Sequence, residues 1–396
     1  MPVVHIKTDQ SLQITTGTGA PTHSAVAGDR YTDTVNGNTY QYTTSWQAVS
    51  YGGAGGLTYF TEAQSTASPN ITVNVDSLTA VASTTNADFA IRPKGTGAVL
   101  TAVPDGTPTG GNKRGQYAVD LQTARSTPSQ VASGDWSFVG GGSSNIASGL
   151  YSTAFGAQTT ASGNYGSFSA GWLNTASGQV TVALGFGNSA SNNYSACLGG
   201  TNNISSAESS VAFNANNTAS GRMSFVSGYY NTASGEFSTV TGWYSHSFGI
   251  KGRFVIGQGN SVLGDAQKST FVLSKRTTDA TVTVLGIDNT TPSVSNQITL
   301  QNNNSIRFKG TIIGRQSGST NTSAWDIDGI IQRGTSAATT TLLISNVNVV
   351  QNTPAWGTPT LTANTTLGCL TVSAIGALTT NIQWTCVIDT TEVIYA

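Results

Sequence analysis

A triplet recurs along the middle of the chain at a spacing too regular for chance. Ala132-Ser133-Gly134, Ala147-Ser148-Gly149, Ala161-Ser162-Gly163 and Ala176-Ser177-Gly178 are followed by Ala190-Ser191-Asn192, Ser205-Ser206-Ala207, Ala219-Ser220-Gly221 and Ala233-Ser234-Gly235. The steps are 15, 14, 15, 14, 15, 14 and 14 residues. Each interval holds a pentad of one kind, such as Ser152-Thr153-Ala154-Phe155-Gly156, Thr181-Val182-Ala183-Leu184-Gly185 or Ser238-Thr239-Val240-Thr241-Gly242. Self-similarity at a fixed period is the mark of a repeat architecture, in which each unit is stable only against its neighbours.

The pentad reads as one short strand, with the Ala-Ser-Gly segment leading into a second. Gly and Asn between them permit sharp turns at φ > 0. Coils stacked at about 4.8 Å would satisfy each other's backbone, so eight units would rise roughly 38 Å. Second and fourth pentad residues share a face, and their bulk compensates: Phe138 with Gly140, Thr153 with Phe155, Phe168 with Ala170. Third positions stay small (Val139, Ala154, Ser169, Ala183, Cys197, Ala212, Val226, Val240), which lets another layer approach. A 14-residue coil encloses little volume and leaves an apolar flank wet. Three such rolls around one axis would supply the missing wall, so a homotrimer is expected.

Composition agrees. Charged residues are 9% of the 396, against roughly 25% in ordinary soluble domains. Ser, Thr, Asn and Gly take their place, a mixture suited to strands and tight turns. No 3.6-period stretch of helical length occurs. A net charge of -1 offers no footprint for nucleic acid. No apolar run is long enough to span a bilayer, and Met1 to Lys7 lacks a signal-peptide core, so no membrane insertion and synthesis in a cytoplasm are expected. Cys197, Cys369 and Cys386 have no metal spacing and read as small buried residues.

The repeats resemble the head repeat of YadA-like trimeric adhesins, in which a Ser-Val-Ala-Ile-Gly-like strand is followed by Ala-x-Gly-x-x-Ser. Thr181-Val182-Ala183-Leu184-Gly185 with Ala190-Ser191-Asn192 is the nearest unit, and the resemblance covers about residues 131–245. It implies a left-handed parallel β-roll trimer. Asn214 in place of Gly and the degenerate unit around Glu208 depart from it, and bulged coils are expected there. Gly19-Ala20-Pro21-Thr22-His23-Ser24, Arg92-Pro93-Lys94-Gly95-Thr96-Gly97 and Gly111-Asn112-Lys113-Arg114-Gly115 resemble phage tail-fibre sequences. In such fibres the N-terminal part usually fixes the protein to the virion, which implies a tail, baseplate or adaptor partner.

Four regions follow. Residues 1–56 read as an N-terminal virion-attachment β-module. Arg30-Tyr31-Thr32-Asp33-Thr34 and Thr39-Tyr40-Gln41-Tyr42 flank a hairpin signal, Asn36-Gly37, and a Gly-rich linker closes the module. Residues 57–130 form a β-rich connector, with a strand at 71–75 and a strand, turn and returning strand over 88–100. Residues 131–257 are the β-roll. Residues 258–396, with strands expected at 270–274, 281–287, 305–313, 324–332, 341–350, 370–375 and 381–389, read as an antiparallel β-sandwich and receptor-binding tip. This last region resembles the C-terminal domain of phage fibre proteins by pattern alone.

The chemistry of a site is harder to find. His5, His23 and His246 are isolated, so His246 reads as a junction histidine, and no metal or cofactor is expected. Asp135, Glu208 and Glu236 lie far apart along the stack. Asp326 and Asp328 share a strand face, at a separation a carboxylate pair needs, but read as solvated polar residues. No catalytic residue is assigned and a non-enzyme is expected. The register aligns Trp136, Tyr151, Tyr165, Val180, Tyr194, Ser209, Met223 and Phe237 in one column, and Gly142, Ala157, Trp172, Phe186, Gly200, Ala215, Tyr229 and Trp243 in another. Trp172, Phe186, Tyr229 and Trp243 are glycan-stacking candidates, with packing between coils and subunits the favoured role. For host recognition the C-terminal loops are favoured, with Trp356, Asn352 and Asn364 as candidate contacts. The expectation is a tail fibre that attaches a virion to a bacterial surface, to a glycan or outer-membrane receptor. The alternatives are a polysaccharide-depolymerising tail spike and a head fibre or other structural virion part. A cellular autotransporter would need a signal peptide, a heptad stalk and a membrane anchor, none of which the sequence displays.

Overall fold

The computed structural model describes residues 6–7, 13–17, 30–33, 39–42, 46–48, 60–65, 75–80, 86, 88–259 and 262–395. The chain divides into two compact units, Met1–Ile91 and Arg92–Ala396.

In the first unit, five short strands form one sheet in chain order. Arg30–Asp33 and Thr39–Tyr42 pair antiparallel with Tyr31 opposite Tyr40, as a hairpin about Asn36-Gly37 requires; the turn itself lies outside the described residues. A separate antiparallel pair joins Phe60–Ser65 to Val75–Ala80. The loop expected at 19–24, the linker at 51–56 and most of the strand expected at 71–75 lie outside the described residues.

The second unit is built on a parallel β-solenoid of about nine turns. The hairpin expected over 88–100 does not form. Residues 88–93 join no sheet, a turn closes from Gly97 N–H to the Lys94 carbonyl, and Val99–Leu100 pairs parallel with Val119–Asp120. That strand is the first rung of the stack, because Val119–Asp120 in turn pairs with Phe138–Val139.

Each pentad contributes the next rung in register: Thr153 opposite Phe168, Phe168 opposite Val182, Val182 opposite Ala196. The second wall is a seven-stranded parallel sheet of two-residue strands, from Ile146–Ala147 to Thr232–Ala233. These strands end on the first residue of each triplet, Ala in all but Ser205, and the two residues that follow, mostly Ser-Gly, make the turn. The third pentad residues and the triplet Ala face each other across the lumen. Val139, Ala154, Ala183, Cys197, Ala212, Val226 and Val240 are fully buried on one side, and Ala147, Ala161, Ala176, Ala190, Ala219 and Ala233 on the other. A narrow coil admits only such side chains at crystal-like packing density. The register shift expected near Asn214 falls in the preceding coil, where Leu184 and Phe186 pair with Leu198 and Thr201; at Asn214 a φ of 67° supplies the turn that Gly makes elsewhere.

One corner of the lumen holds a ladder of buried amides: Asn145, Asn174, Asn188, Asn203, Asn217 and Asn231, with Thr159 and Ser245 in the same line. Asn217 is representative. Its Nδ2 donates to the Gly228 carbonyl of the next coil (2.7 Å) and to the Phe213 carbonyl of its own. Its Oδ1 accepts the Asn231 N–H (2.9 Å) of the next coil. The tight return at each corner leaves backbone groups facing inward, and buried backbone groups must be paired. The amide of Asn217 pairs three such groups. Beside it, glycines pass close to the coil above: a Cβ on Gly171, at φ 117°, would lie 2.1 Å from the Gly185 carbonyl oxygen.

The last rung, Phe254–Gln258, pairs parallel with Thr239–Trp243 and antiparallel with Ala266–Thr277. From there the same sheet continues antiparallel through Ile382–Ile394, Asn304–Gln316, Thr322–Arg333 and the edge strand Thr341–Thr353. A smaller antiparallel sheet joins Val282–Val284, Ile298–Thr299, Gly357–Asn364 and Cys369–Ile375. The two sheets share one core, including Phe271, Leu285, Leu300, Phe308, Trp325, Leu370, Val372 and Trp384. At the junction, Arg253 and Glu392 form a buried ion pair. Arg253 also lies over the Phe248 and Phe271 rings and donates to Ser269 Oγ (3.0 Å). The other end of the solenoid holds a second buried network, in which Asp120 accepts from Arg114 (2.8 Å) and Arg125 (3.2 Å).

Candidate functional site

The coil corners put large side chains where the backbone is left-handed. Tyr117, Trp136, Tyr151, Tyr165, Val180, Tyr194, Met223 and Phe237 all have φ between 52° and 62°, a region that bulky and β-branched residues rarely adopt. They form the first expected column, lengthened by Tyr117. Tyr117 and Trp136 stack at 5.0 Å and Trp136 meets Tyr151 at 5.5 Å. Every one of them stays exposed, Tyr165 to 59%. In the second column Trp172 and Phe186 pack edge to face at 5.2 Å. Tyr229 and Trp243 join Tyr230 and Tyr244, whose rings stack at 5.2 Å. Trp172 is nevertheless 54% exposed, and Phe186, Tyr229 and Trp243 are exposed too. The rings therefore touch in short runs along the stack and keep an outer face open. Tyr230 and Tyr244 were not singled out in the sequence, though each directly follows a residue of that column.

A concavity of about 1100 Å³ lies at the end of the antiparallel sheet remote from the junction. Arg276 ends one strand, Gln383 starts the C-terminal strand and Arg315 ends a third. Gln383 is the register partner of both arginines, so the three side chains form a row across adjacent strands. The hairpin tip 316–321 forms the rim, tied by Asn321 Nδ2 donating to Gln316 Oε1 (2.8 Å) and Ser317 N–H donating to the Asn381 carbonyl (2.9 Å). A smaller concavity of about 530 Å³ near the junction holds a charge chain, Arg222–Glu236–Lys251–Asp288. The Arg222 hydrogen bond holds Glu236 below the usual carboxylate range. Burial pushes Asp288 up, but hydrogen bonds from Thr290, Lys251 and Asn296 outweigh it and leave its pKa lowered. Both carboxylates are thus ionised at neutral pH, and neither is poised as a general acid.

Trp356 is 5% exposed and packs edge to face on Trp384 at 5.6 Å. Asn352 clamps it by the backbone, accepting the Trp356 N–H (2.9 Å) and donating to its carbonyl (3.1 Å). Asn364 accepts the N–H groups of Thr366 and Leu367 and so builds the turn before Cys369. The structure does not bring these three together at one surface. Asp326 and Asp328 do share a face; Asp326 accepts from Thr311 (2.9 Å), and Asp328 pairs with Arg307 (2.7 Å). His246 is a half-buried junction residue whose Nδ1 accepts the Phe248 N–H. Burial, with Arg253 nearby, lowers its pKa to about 4, so it is neutral. Among the described residues no group of three His, Cys, Asp or Glu side chains is placed to hold a metal, and no helix is long and apolar enough to cross a membrane.

No protein-family model matches the chain, and no curated protein does. Among solved structures it is similar to the tailspike protein gp49 from Acinetobacter baumannii bacteriophage Fri1, a capsular polysaccharide depolymerase. The identity is 11%, the TM-score 0.23, and the match covers 69% of this chain and 60% of that one. This finding corrects the expectation of a non-enzyme: the solved chain is itself described as an enzyme, and the exclusion of catalysis is withdrawn. A likeness of that size carries no argument about what this chain does.

Proposed function

We propose that the chain is a virion protein of a phage tail that attaches the particle to a glycan on the bacterial surface, and that it works as a homotrimer. The carrying observation is the pair of in-register columns of exposed aromatic rings along the solenoid. A lone chain gains nothing from bulky rings at left-handed positions with their faces in water. A neighbouring copy, or a sugar lying along the stack, would use them. The edge strand Thr341–Thr353 supports assembly independently. It is thirteen residues long, and Leu343, Ile344, Val349 and Val350 are exposed on it. Long apolar edges are normally covered, since they otherwise template aggregation. The virion context rests on the resemblance of residues 92–97 and 111–115 to tail fibres. On this reading residues 1–56 hold the virion, 57–130 connect, 131–257 form the shaft and 258–396 meet the host. Three tips on one shaft would turn weak glycan contacts into useful avidity.

Two measurements test this. Sedimentation of the purified chain should give three times its 40.7 kDa mass, and a folded single chain would refute the trimer. Purified protein should block adsorption of the parent particle to host cells, and unhindered adsorption would refute the attachment role. Degradation of capsule in the same assay would establish the depolymerase alternative.

A further inference from the structure

We propose that the cleft at the end of the antiparallel sheet binds the acidic substituent of a surface glycan, a sugar carboxylate or phosphate, between Arg276 and Arg315. The inference deepens the attachment reading and rests on it. Direct cross-strand neighbours point to one face. With Gln383 between them, the two guanidinium groups stand over one sheet face about 10 Å apart, two strand spacings. The chain has only 17 basic side chains, yet two border this cleft and no carboxylate lines it. Asp279, three residues beyond Arg276, is turned to the Thr281 N–H (2.8 Å) instead.

Gln383 positions one arginine. Its Oε1 accepts from Arg276 Nε (2.8 Å), while its Nε2 is held by the Trp384 carbonyl (3.0 Å). The two terminal nitrogens of Arg276 and the whole guanidinium of Arg315 have no protein acceptor among the described residues. Planar forks of this kind match carboxylate and phosphate oxygens in pairs. Apart from Gly318 and Ile382, the rest of the lining, including Thr278, Ser319, Thr320 and Asn381, carries hydroxyls and amides that suit a polyhydroxylated ligand. A volume of about 1100 Å³ exceeds what a lone anion needs and reaches the upper end of small-molecule sites, roughly 300–1,000 Å³. Both arginines are exposed, so attraction at each site is screened by salt. Weak, salt-sensitive binding multiplied by copies is the expected behaviour.

The test titrates the full chain with trigalacturonate, with its carboxyl-reduced neutral trimer and with glucose 6-phosphate. The first or the third should bind, the neutral trimer should not, and affinity should fall as salt rises. Which anion binds identifies the substituent. Arg276→Gln with Arg315→Gln should weaken binding about tenfold or more, with an unchanged unfolding midpoint because both side chains are exposed. Equal binding of the neutral trimer, no binding of either anion, or unchanged affinity in the double variant would overturn the proposal. Adsorption of the variant to host cells separates the two readings. Full adsorption by the variant removes this cleft and leaves attachment standing, whereas wild-type protein that does not adsorb removes attachment itself.

Discussion

Replacing Asn203 by Ala should be among the most damaging single changes in the shaft. Its side chain donates to the Gly199 carbonyl (3.1 Å) and to the Asn214 carbonyl one coil on (2.6 Å), and its Oδ1 accepts the Asn217 N–H (3.1 Å). The variant removes these three, together with the Nδ2 contact to Asn188 Oδ1 (3.0 Å), at a position with no access to water. A buried donor left without an acceptor costs roughly 1–3 kcal/mol, and the Asn217 N–H becomes one. The half-buried Gly199 carbonyl also loses its side-chain donor. The Asn214 carbonyl keeps the Thr201 N–H (2.9 Å) and suffers less. The sum is about 3–4 kcal/mol, and the cavity left by the amide does not reduce it. Urea unfolding followed by circular dichroism would measure this, with Ser206→Ala as control, since Ser206 is exposed on the same coil. A loss below about 0.5 kcal/mol, the range of ordinary surface changes, would show that the ladder is incidental to stability.

Other outcomes follow from the same geometry. Glu392→Ala should cost about 3–5 kcal/mol, because it leaves Arg253 buried and unpaired, and the C-terminal sheet should then melt before the solenoid in a thermal scan. Burial pushes the Glu392 pKa up, but the charge and hydrogen bond of Arg253 outweigh it, so the folded pKa is lowered. Its contribution is therefore complete above the unfolded carboxyl value and lost as pH falls through the folded one; Glu392→Gln should flatten that acid limb of the stability profile. Gly171→Ala should destabilise far more than Gly166→Ala: both have φ > 0, but only Gly171 has a carbonyl oxygen where the Cβ would go, so equal unfolding midpoints would contradict the close-stacking account. Val349→Lys with Ile344→Lys should yield a folded monomer by sedimentation, and intact trimers would show that the edge strand is not the interface.

The repeat was legible because a solenoid imposes the same environment on every coil. A small third residue in each pentad, from Val139 to Val240, is what a narrow lumen demands, and it was visible without knowing the lumen existed. The Asn ladder was not recognised, although its signal stands two residues before each triplet, at Asn145, Asn174, Asn188, Asn203, Asn217 and Asn231. A polar residue read alone suggests a turn at the surface; only the backbone path shows that the turn points inward. The expected hairpin over 88–100 failed for a related reason. Alternation marks a strand but not its partner, and Val99–Leu100 found a parallel neighbour in Val119–Asp120. Candidate site residues fared unevenly. The columns through Trp172 and Trp243 line up as the period requires, but a period does not say how far a ring is covered, and the exposure of these rings was not legible in it. Burial of Trp356 against Trp384 depends on how two sheets close, which no local pattern reveals. The Arg276–Gln383–Arg315 row joins residues more than 100 positions apart in part, through strand register that sequence leaves open.

A stack of identical rungs has no intrinsic reason to end, because each exposed rung is a template for one more. Here the rung Phe254–Gln258 has its far edge occupied by a strand running the other way, and the sheet that follows presents no matching coil. The reversal acts as a terminator. A chain cut after residue 258 would offer an open ladder to its siblings and should polymerise end to end, so the C-terminal sheet sets the length of the solenoid.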